Sequence, residues 1–474
     1  MTDDVFFAGI ADLNARLQKR EFSTVELVKA FAQRLMKLGP RYNALALPLA
    51  EPAVKRARQV DDEFKRGRLR GPLQGIPFGA KDLLSLAGYP TTWGAKPYAS
   101  QVFEETATVL AKLDKAGAVL IGKLAMVELA GGGGYRTAAA SLFGAGLNPW
   151  DVTCWSGGSS SGPASAVAAG LVPFALGSET SGSIVSPSAY CGVTGLRPTY
   201  GYVSRHGAMA LSWTMDKIGP MCHSAEDCGL VLETIAGSDS NDPSSAGKSF
   251  YYTPQYARQL SDLKIGFSPD DMAWADDDAR PVFNTAMQVM RQMGPQFVEV
   301  KLPDLPYSAM ADTIIGAEEA SIFEPLISSG KVNDLADPAQ IAGLKANLAI
   351  PATEYLRAMR IRSLLKQKFR ELFADIDAIL APARYNVAPK AAEPLDGPDR
   401  IPVPAPPSNG MRRLIQAGNL AGIPALSFPC GFVGNLPVAL QFAGPAFTEN
   451  TLLALGREFQ NRTDWHKRRP PPLS

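Results

Sequence analysis

The stretch at residues 154–197, CWSGGSSSGPASAVAAGLVPFALGSETSGSIVSPSAYCGVTGLR, decides how this 474-residue chain is read. Two Gly/Ser loops, at 156–162 and 178–183, flank an Ala-rich helical run and a short apolar strand. Gly157, Gly158 and Gly162 permit tight turns and close approach of a ligand to the backbone, and Ser159, Ser160 and Ser161 set hydroxyls beside backbone donors. The second loop repeats that chemistry through Ser178, Ser181 and Ser183. A flexible linker has a similar composition, but a linker has no need of an apolar strand between two such loops.

Outward from this segment the same alternation recurs. Residues 107–123 read as an amphipathic helix through Val109, Leu110 and Leu113, a turn at Gly117 and an apolar strand. Further on, a strand at 263–267 precedes a helix at 282–293 and a strand at 297–300. Alternation of this kind predicts an α/β architecture with helices on both faces of the sheet. At roughly 150 residues per domain the length allows about three domains, although large α/β enzymes often keep it in one. From Gly237 to Lys248 the texture turns polar, a long helix is expected at 353–373, and seven of the nineteen residues at 389–407 are proline. That density forbids regular structure and predicts an extended loop or lid edge, with a surface excursion as the plainer reading, and the change of texture after Gly237 marks the middle region as a variable subregion. The basic, proline-rich 467–474 reads as a frayed tail.

Composition removes several function classes. Apolar residues make up 46% and charged residues 20%, which is globular rather than disordered. Forty-seven basic against forty-six acidic residues leave a formal charge of +1, so no global field draws nucleic acid or anionic lipid. Cys154, Cys191, Cys222, Cys228 and Cys430 are odd in number and widely spread, which predicts reduced thiols. The start MTDDVFFAGI lacks a basic segment followed by a long apolar run, and 163–177 is too short to span a bilayer, so a cytoplasmic location without membrane association is expected. The scattered Cys and His have no zinc-type spacing, and neither metal nor cofactor is expected.

Two bases compete to activate a loop serine. Residues 158–162 match G-x-S-x-G, which would make Ser160 a nucleophile served by His466, one of only three histidines with His206 and His223. That motif needs a strand before its first Gly, and 148–156, with Asn-Pro and Asp151, reads as a turn. The other base is Lys81, at the end of the apolar run in GPLQGIPFGAKDLL. A lysine desolvated among apolar groups is pushed toward the neutral amine, which can take a serine proton. A surface charge with a buried stem would give the same local sequence.

Lys81, GGSSSG at 157–162 and GSETSGSI at 177–184 together resemble the amidase signature family, supported by NPWD at 148–151, SAYCGVTGLRPTYG at 188–201, SWTMDKIGP at 212–220, GNLAGIPALSFPCGF at 418–432 and LPVALQFAGP at 436–445. The resemblance implies one α/β domain over 1–474, a central mixed sheet covered by helices on both faces, with 240–410 as its variable substrate-side part. It implies cofactor-free amide hydrolysis in which Ser183 is the nucleophile, Ser159 a bridging serine preceded by a cis peptide bond, and Lys81 the base. The family's oxyanion hole then falls on the backbone N–H groups of Thr180, Ser181, Gly182 and Ser183. Ser159 and Ser183 are 24 residues apart, as the family spaces its two serines, which favours Ser159 over Ser160 for the bridge. Gly131, Gly132 and Gly133 occupy the region where family members line the substrate pocket with backbone, with Tyr135 and Arg136 beside them.

Departures fall inside the loops. Where the family usually reads GGSSGGS, Ser161 and Pro163 differ; where it reads D-T-G-G-S-I-R, Glu179, Ser181 and Val185 stand instead. The usual Asp–Arg support cannot form with Val185. These changes point away from the glutamine amidotransferase subunit of tRNA-dependent complexes, which stays as an alternative together with an inactive amidase-like scaffold. The main expectation is hydrolysis of a small aryl or acyl amide, or a carbamate, in a pocket drawn from Trp93, Trp155 and Trp213. A small-molecule amide or carbamate is the expected partner, nucleic acid and membrane are not, and a homodimer is the common arrangement for such enzymes.

Overall fold

In the computed structural model, residues 1–253, 255, 258–396 and 408–472 are described. They form β1 (Leu45–Pro48), β2 (Pro77–Lys81), β3 (Val119–Leu124), β4 (Leu147–Asn148), β5 (Asp151–Trp155), β6 (Phe174–Glu179), β7 (Thr194–Arg197), β8 (Lys217–Cys222), β9 (Lys264–Phe267), β10 (Gln296–Glu299), β11 (Ala378–Pro382), β12 (Ala425–Val433) and β13 (Leu436–Ala443). β4 and β5 make a separate hairpin, and the other eleven make one sheet in the order β1-β3-β2-β6-β8-β7-β12-β13-β11-β9-β10. The sheet is mixed: β2 runs parallel to both β3 and β6, whereas β8 is antiparallel to β6 and β7. Parallel neighbours require crossovers, and the helix Thr108–Lys115 supplies the one from β2 to β3.

Strand periodicity explains why helices cover both faces. Along β13, Val438, Leu440 and Phe442 enter one hydrophobic core, while Ala439 and Ala443 enter a second. The small residues face the helices Val185–Cys191, Tyr307–Ser328 and Leu414–Ala421, whose apolar side chains complete that second core. At the centre, every residue of β2, β6 and β8 is buried, so their sequences are near-continuous apolar runs rather than alternating ones.

The structure refines several local sequence expectations. The expected turn at 148–156 is only the tip of a hairpin: Asn148 Oδ1 accepts from the Trp150 N–H at 3.1 Å, and Asp151–Trp155 continues as β5. The region 240–410 supplies β9, β10 and β11 to the main sheet. Of the proline-rich 389–407, residues 397–407 lie outside the described residues; the preceding part lies along β5, with Trp155 N donating to the Pro389 carbonyl at 2.8 Å. The tail is anchored through residue 469 by side chains, with Arg468 stacked 4.4 Å from the Phe432 ring and Arg469 paired to Asp4 at 2.9 Å. All five cysteines are unpaired and buried, and no helix among the described residues is long and apolar enough to cross a membrane.

Candidate active site

Lys81 closes β2 with a fully buried side chain. Its Nζ lies 2.8 Å from Ser159 Oγ, 2.9 Å from Ser178 Oγ and 3.0 Å from Ser160 Oγ, with no carboxylate in ion-pair range among the described residues. Burial penalises the ammonium form and lowers its pKa to about 7, against the opposing pull of Asp216 and Glu179. The hydrogen-bond inventory fixes how a neutral amine would be used here. Ser160 Oγ donates to the Ser178 carbonyl at 3.1 Å, so toward Lys81 it can only accept. A neutral amine that gives its two N–H groups to Ser160 and to the hydroxyl or carbonyl of Ser178, at 2.9 and 3.5 Å, keeps its lone pair for the proton of Ser159.

The two loops that the sequence singled out are stitched together. The peptide bond between Gly158 and Ser159 is cis, and the Ser160 N–H donates to the Ser183 carbonyl at 3.3 Å. Ser160 starts the wholly buried helix Ser161–Ala168, whose Ala and Gly content lets it press against the ends of β2 and β3: a Cβ on Gly162 would meet the Ala125 carbonyl at 2.4 Å. Among the described residues none accepts a hydrogen bond from the N–H of Ser181, Gly182 or Ser183, which leaves three backbone donors in one turn. Gly182 holds φ +99° and suits only glycine, whereas Ser181 is absent from the positive-φ positions, so serine keeps the donor there at no conformational cost.

The support that Val185 cannot give comes from elsewhere. Glu179 Oε2 accepts the N–H groups of Ile184 and Val185 at 2.8 and 2.9 Å; its Oε1 takes Arg197 Nη1 at 2.9 Å and Asn419 Nδ2 at 2.7 Å. Burial alone would raise this carboxyl, but Arg197 and Lys217, with these hydrogen bonds, hold it at about 2. An ionised Glu179 thus clamps the turn that follows Ser183. Asp216, which accepts from Thr180 Oγ1 at 2.6 Å and from the N–H groups of Leu211 and Ser212, braces the same turn from below, and burial raises its pKa.

Ser183 opens onto a cavity of about 320 Å³. Tyr135, Trp155 and Tyr190 make an aromatic wall, with Trp155 centred 6.0 Å from Tyr135 and 6.4 Å from Tyr190. Of the three tryptophans expected there, only Trp155 lines it: Trp93 packs with its ring tilted, 4.5 Å from Tyr98, and Trp213 lines an adjoining cavity of about 600 Å³ that shares Ala130, Thr180 and Leu211 with this one. Of the glycines, Gly131 lines the catalytic cavity; Gly132 packs toward Leu211 and Glu319, and the Gly133 N–H donates to Glu319 Oε1 at 2.9 Å. Arg136 points outward to Asp396 at 2.9 Å.

Ser160 has no histidine partner. Its hydroxyl is spent on Lys81 and Ser178, His206 faces Glu105 at 3.3 Å, and His223 and His466 are neighbours elsewhere, each lowered to about 4, chiefly by burial. Sequence reasoning missed Ser178, Tyr190, Arg197 and Arg384 as site residues. Ser178 lay within a motif already quoted, and Arg384 follows an apolar strand by two residues, a signal too common to single it out.

A family model described as Amidase matches residues 26–453. The chain is similar to a glutamyl-tRNA(Gln) amidotransferase subunit from Dechloromonas aromatica (strain RCB), 36% identical over 98% of this chain and 99% of that one. Among solved structures, the native peptide amidase from Stenotrophomonas maltophilia is 29% identical with a TM-score of 0.83, covering 98% of both chains. A bacterial aryl acylamidase of the amidase signature family superposes with a TM-score of 0.86 over 98% of this chain and 99% of that one at 22% identity, a likeness of fold.

Proposed function

The chain belongs to the amidase signature family and is an amidohydrolase acting on C–N bonds, and on that premise we propose that it cleaves a small amide through an acyl-enzyme on Ser183. Ser159 bridges to Lys81, the base. The observation that carries this reading is the fully buried Lys81, ringed by three serine hydroxyls and with no carboxylate in ion-pair range among the described residues. Neutral Lys81 takes the Ser159 proton as Ser159 takes that of Ser183, and Ser183 Oγ adds to the carbonyl carbon. The oxyanion sits against the N–H groups of residues 180–183, where one donor is worth about 3 to 4 kcal/mol. Collapse breaks the C–N bond, the proton returns through Ser159 to the leaving nitrogen, and a water molecule repeats the cycle to free the acid. Gly131, Gly132 and Gly133 belong to the substrate side in this reading.

For the amide itself, the aromatic wall of Tyr135, Trp155 and Tyr190 supports an aryl or acyl amide or a carbamate. A second reading, the amide-hydrolysing subunit of a tRNA-dependent amidotransferase, is favoured by the names of relatives: glutamine would be hydrolysed and its ammonia used by partner chains. Those names support it better than they support the aryl or carbamate reading. The first test is labelling with a fluorophosphonate and mapping the modified serine by mass spectrometry. A label on Ser183 is expected; a label on Ser160, or none on the folded protein, overturns the mechanism. Glutaminase activity together with co-purifying partner chains would select the second reading, and turnover of anilides or carbamates by the chain alone the first.

A further inference from the structure

The catalytic cavity has one charged side chain in its wall. Among the described residues lining it there is no Asp, Glu or Lys, and the charge is that of Arg384, two residues beyond the end of β11. Arg384 Nε donates to Tyr190 Oη at 3.0 Å, and its guanidinium carbon lies 5.3 Å from the Tyr190 ring centroid. This fixes the plane of the group and uses its side edge. Nη1 and Nη2 make no hydrogen bond to a described residue, and no described carboxylate lies in ion-pair range of them. Arg384, Tyr190 and Leu395 also line an adjoining cavity of about 390 Å³, where Arg412 and Asp276 are the other charged residues. Among the described residues, these two cavities are therefore cationic on balance.

A partly buried guanidinium with no described counter-ion is costly, and its free end presents two parallel N–H donors with the spacing of a carboxylate's two oxygens. A neutral aryl or alkyl group placed there would leave both donors unpaired, and an ammonium group would be repelled. We propose that Arg384 is a specificity-determining residue and that the substrate is a small amide carrying a carboxylate, which meets Nη1 and Nη2 end-on while its amide carbonyl lies at Ser183. Tyr190 is the positioning residue for that contact. The inference rests on the amide hydrolysis proposed above; the carboxylate is a spectator, and the bond broken remains the C–N bond.

The test uses the full-length Ser183→Ala protein, which retains the cavity without turnover, and calorimetric titration with amides matched in length: succinamate against butyramide, and glutaramate against valeramide. The charged member of each pair should bind at least tenfold more tightly. Adding Arg384→Met should erase that preference, and adding Arg384→Lys should restore part of it, with thermal unfolding reporting that each variant is folded. Equal or undetectable binding of the two members, or a preference that survives Arg384→Met, overturns the assignment. Hydrolysis by the unaltered protein is read separately. A charge preference in binding without turnover or Ser183 labelling would sink the hydrolytic reading and keep the anion subsite, whereas turnover of neutral and charged amides alike would do the reverse.

Discussion

Lys81 and Lys123 sit on the adjacent strands β2 and β3, both fully buried, in opposite electrostatic company. Lys123 pairs with Asp82 at 2.8 Å and donates to Thr91 Oγ1 at 2.9 Å, whereas Lys81, among the described residues, meets three serine hydroxyls and the Ser178 carbonyl at 3.5 Å. The register sets Lys123 opposite Ala80, so the two lysines project to different faces of the sheet. Burial depresses both; Asp82 draws Lys123 back toward its charged form, while Lys81 is left at about 7. Burial alone does not make a lysine a base. Burial without a carboxylate in ion-pair range, as for Lys81 among the described residues, brings the neutral amine within reach near neutral pH, and the sheet can hold one lysine of each kind a strand apart because its pleat separates them.

The comparison can be broken most forcefully at Lys81. Lys81→Met should lower the rate of Ser183 labelling by a fluorophosphonate about 10⁴-fold. Its thermal midpoint should hold or rise, because an unpaired buried amine gives way to an apolar chain of similar length. Lys123→Met should behave in the opposite sense, stranding Asp82 and costing about 3 to 5 kcal/mol in urea unfolding, with labelling per folded molecule retained. A K123M protein as stable as its parent would show that the Asp82 pair is not what distinguishes the two lysines.

The pH dependence sharpens the contrast. Lys81 must be neutral to accept a proton and its folded pKa is about 7, so labelling should fall tenfold per unit below about pH 7 and stay flat above it. An acid limb centred near 10 would mean that Lys81 is solvated. The smallest effect is expected from Ser178→Ala. Its hydroxyl accepts from the ammonium form at 2.9 Å, and removing that acceptor disfavours the charge. The acid limb should move down by about 0.5 to 1 pH unit, equivalent to one hydrogen bond of about 1 kcal/mol.

Much of this site was legible from local spacing. Gly157, Gly158 and Gly162 announced close approach, and the 24 residues between Ser159 and Ser183 matched a family pattern. Two local readings failed because the same residues serve two structures: Asn148-Pro149 is a turn and also the tip of a hairpin, and the basic tail is polar yet stacks on Phe432 and Trp465. The loss of Arg at position 185 looked like a loss of support, since nothing near it in the chain replaces the charge. Arg197, twelve residues on in β7, reaches Glu179 only because β8 lies between β6 and β7 in the sheet and aligns their ends.

By itself, then, the sequence determined the α/β alternation, the paired Gly/Ser loops, and which serines and lysine are candidates for the site, because each is written within a few residues through periodicity, glycine and hydroxyl placement. Tertiary structure alone decided that Lys81 has no carboxylate in ion-pair range among the described residues, that Arg197 and Asn419 hold Glu179, and that Arg384 stands in the cavity wall beside Tyr190. Those facts depend on strand order and on crossovers joining residues as far as 240 positions apart. A pKa or a free donor belongs to such a neighbourhood, and no local pattern encodes it.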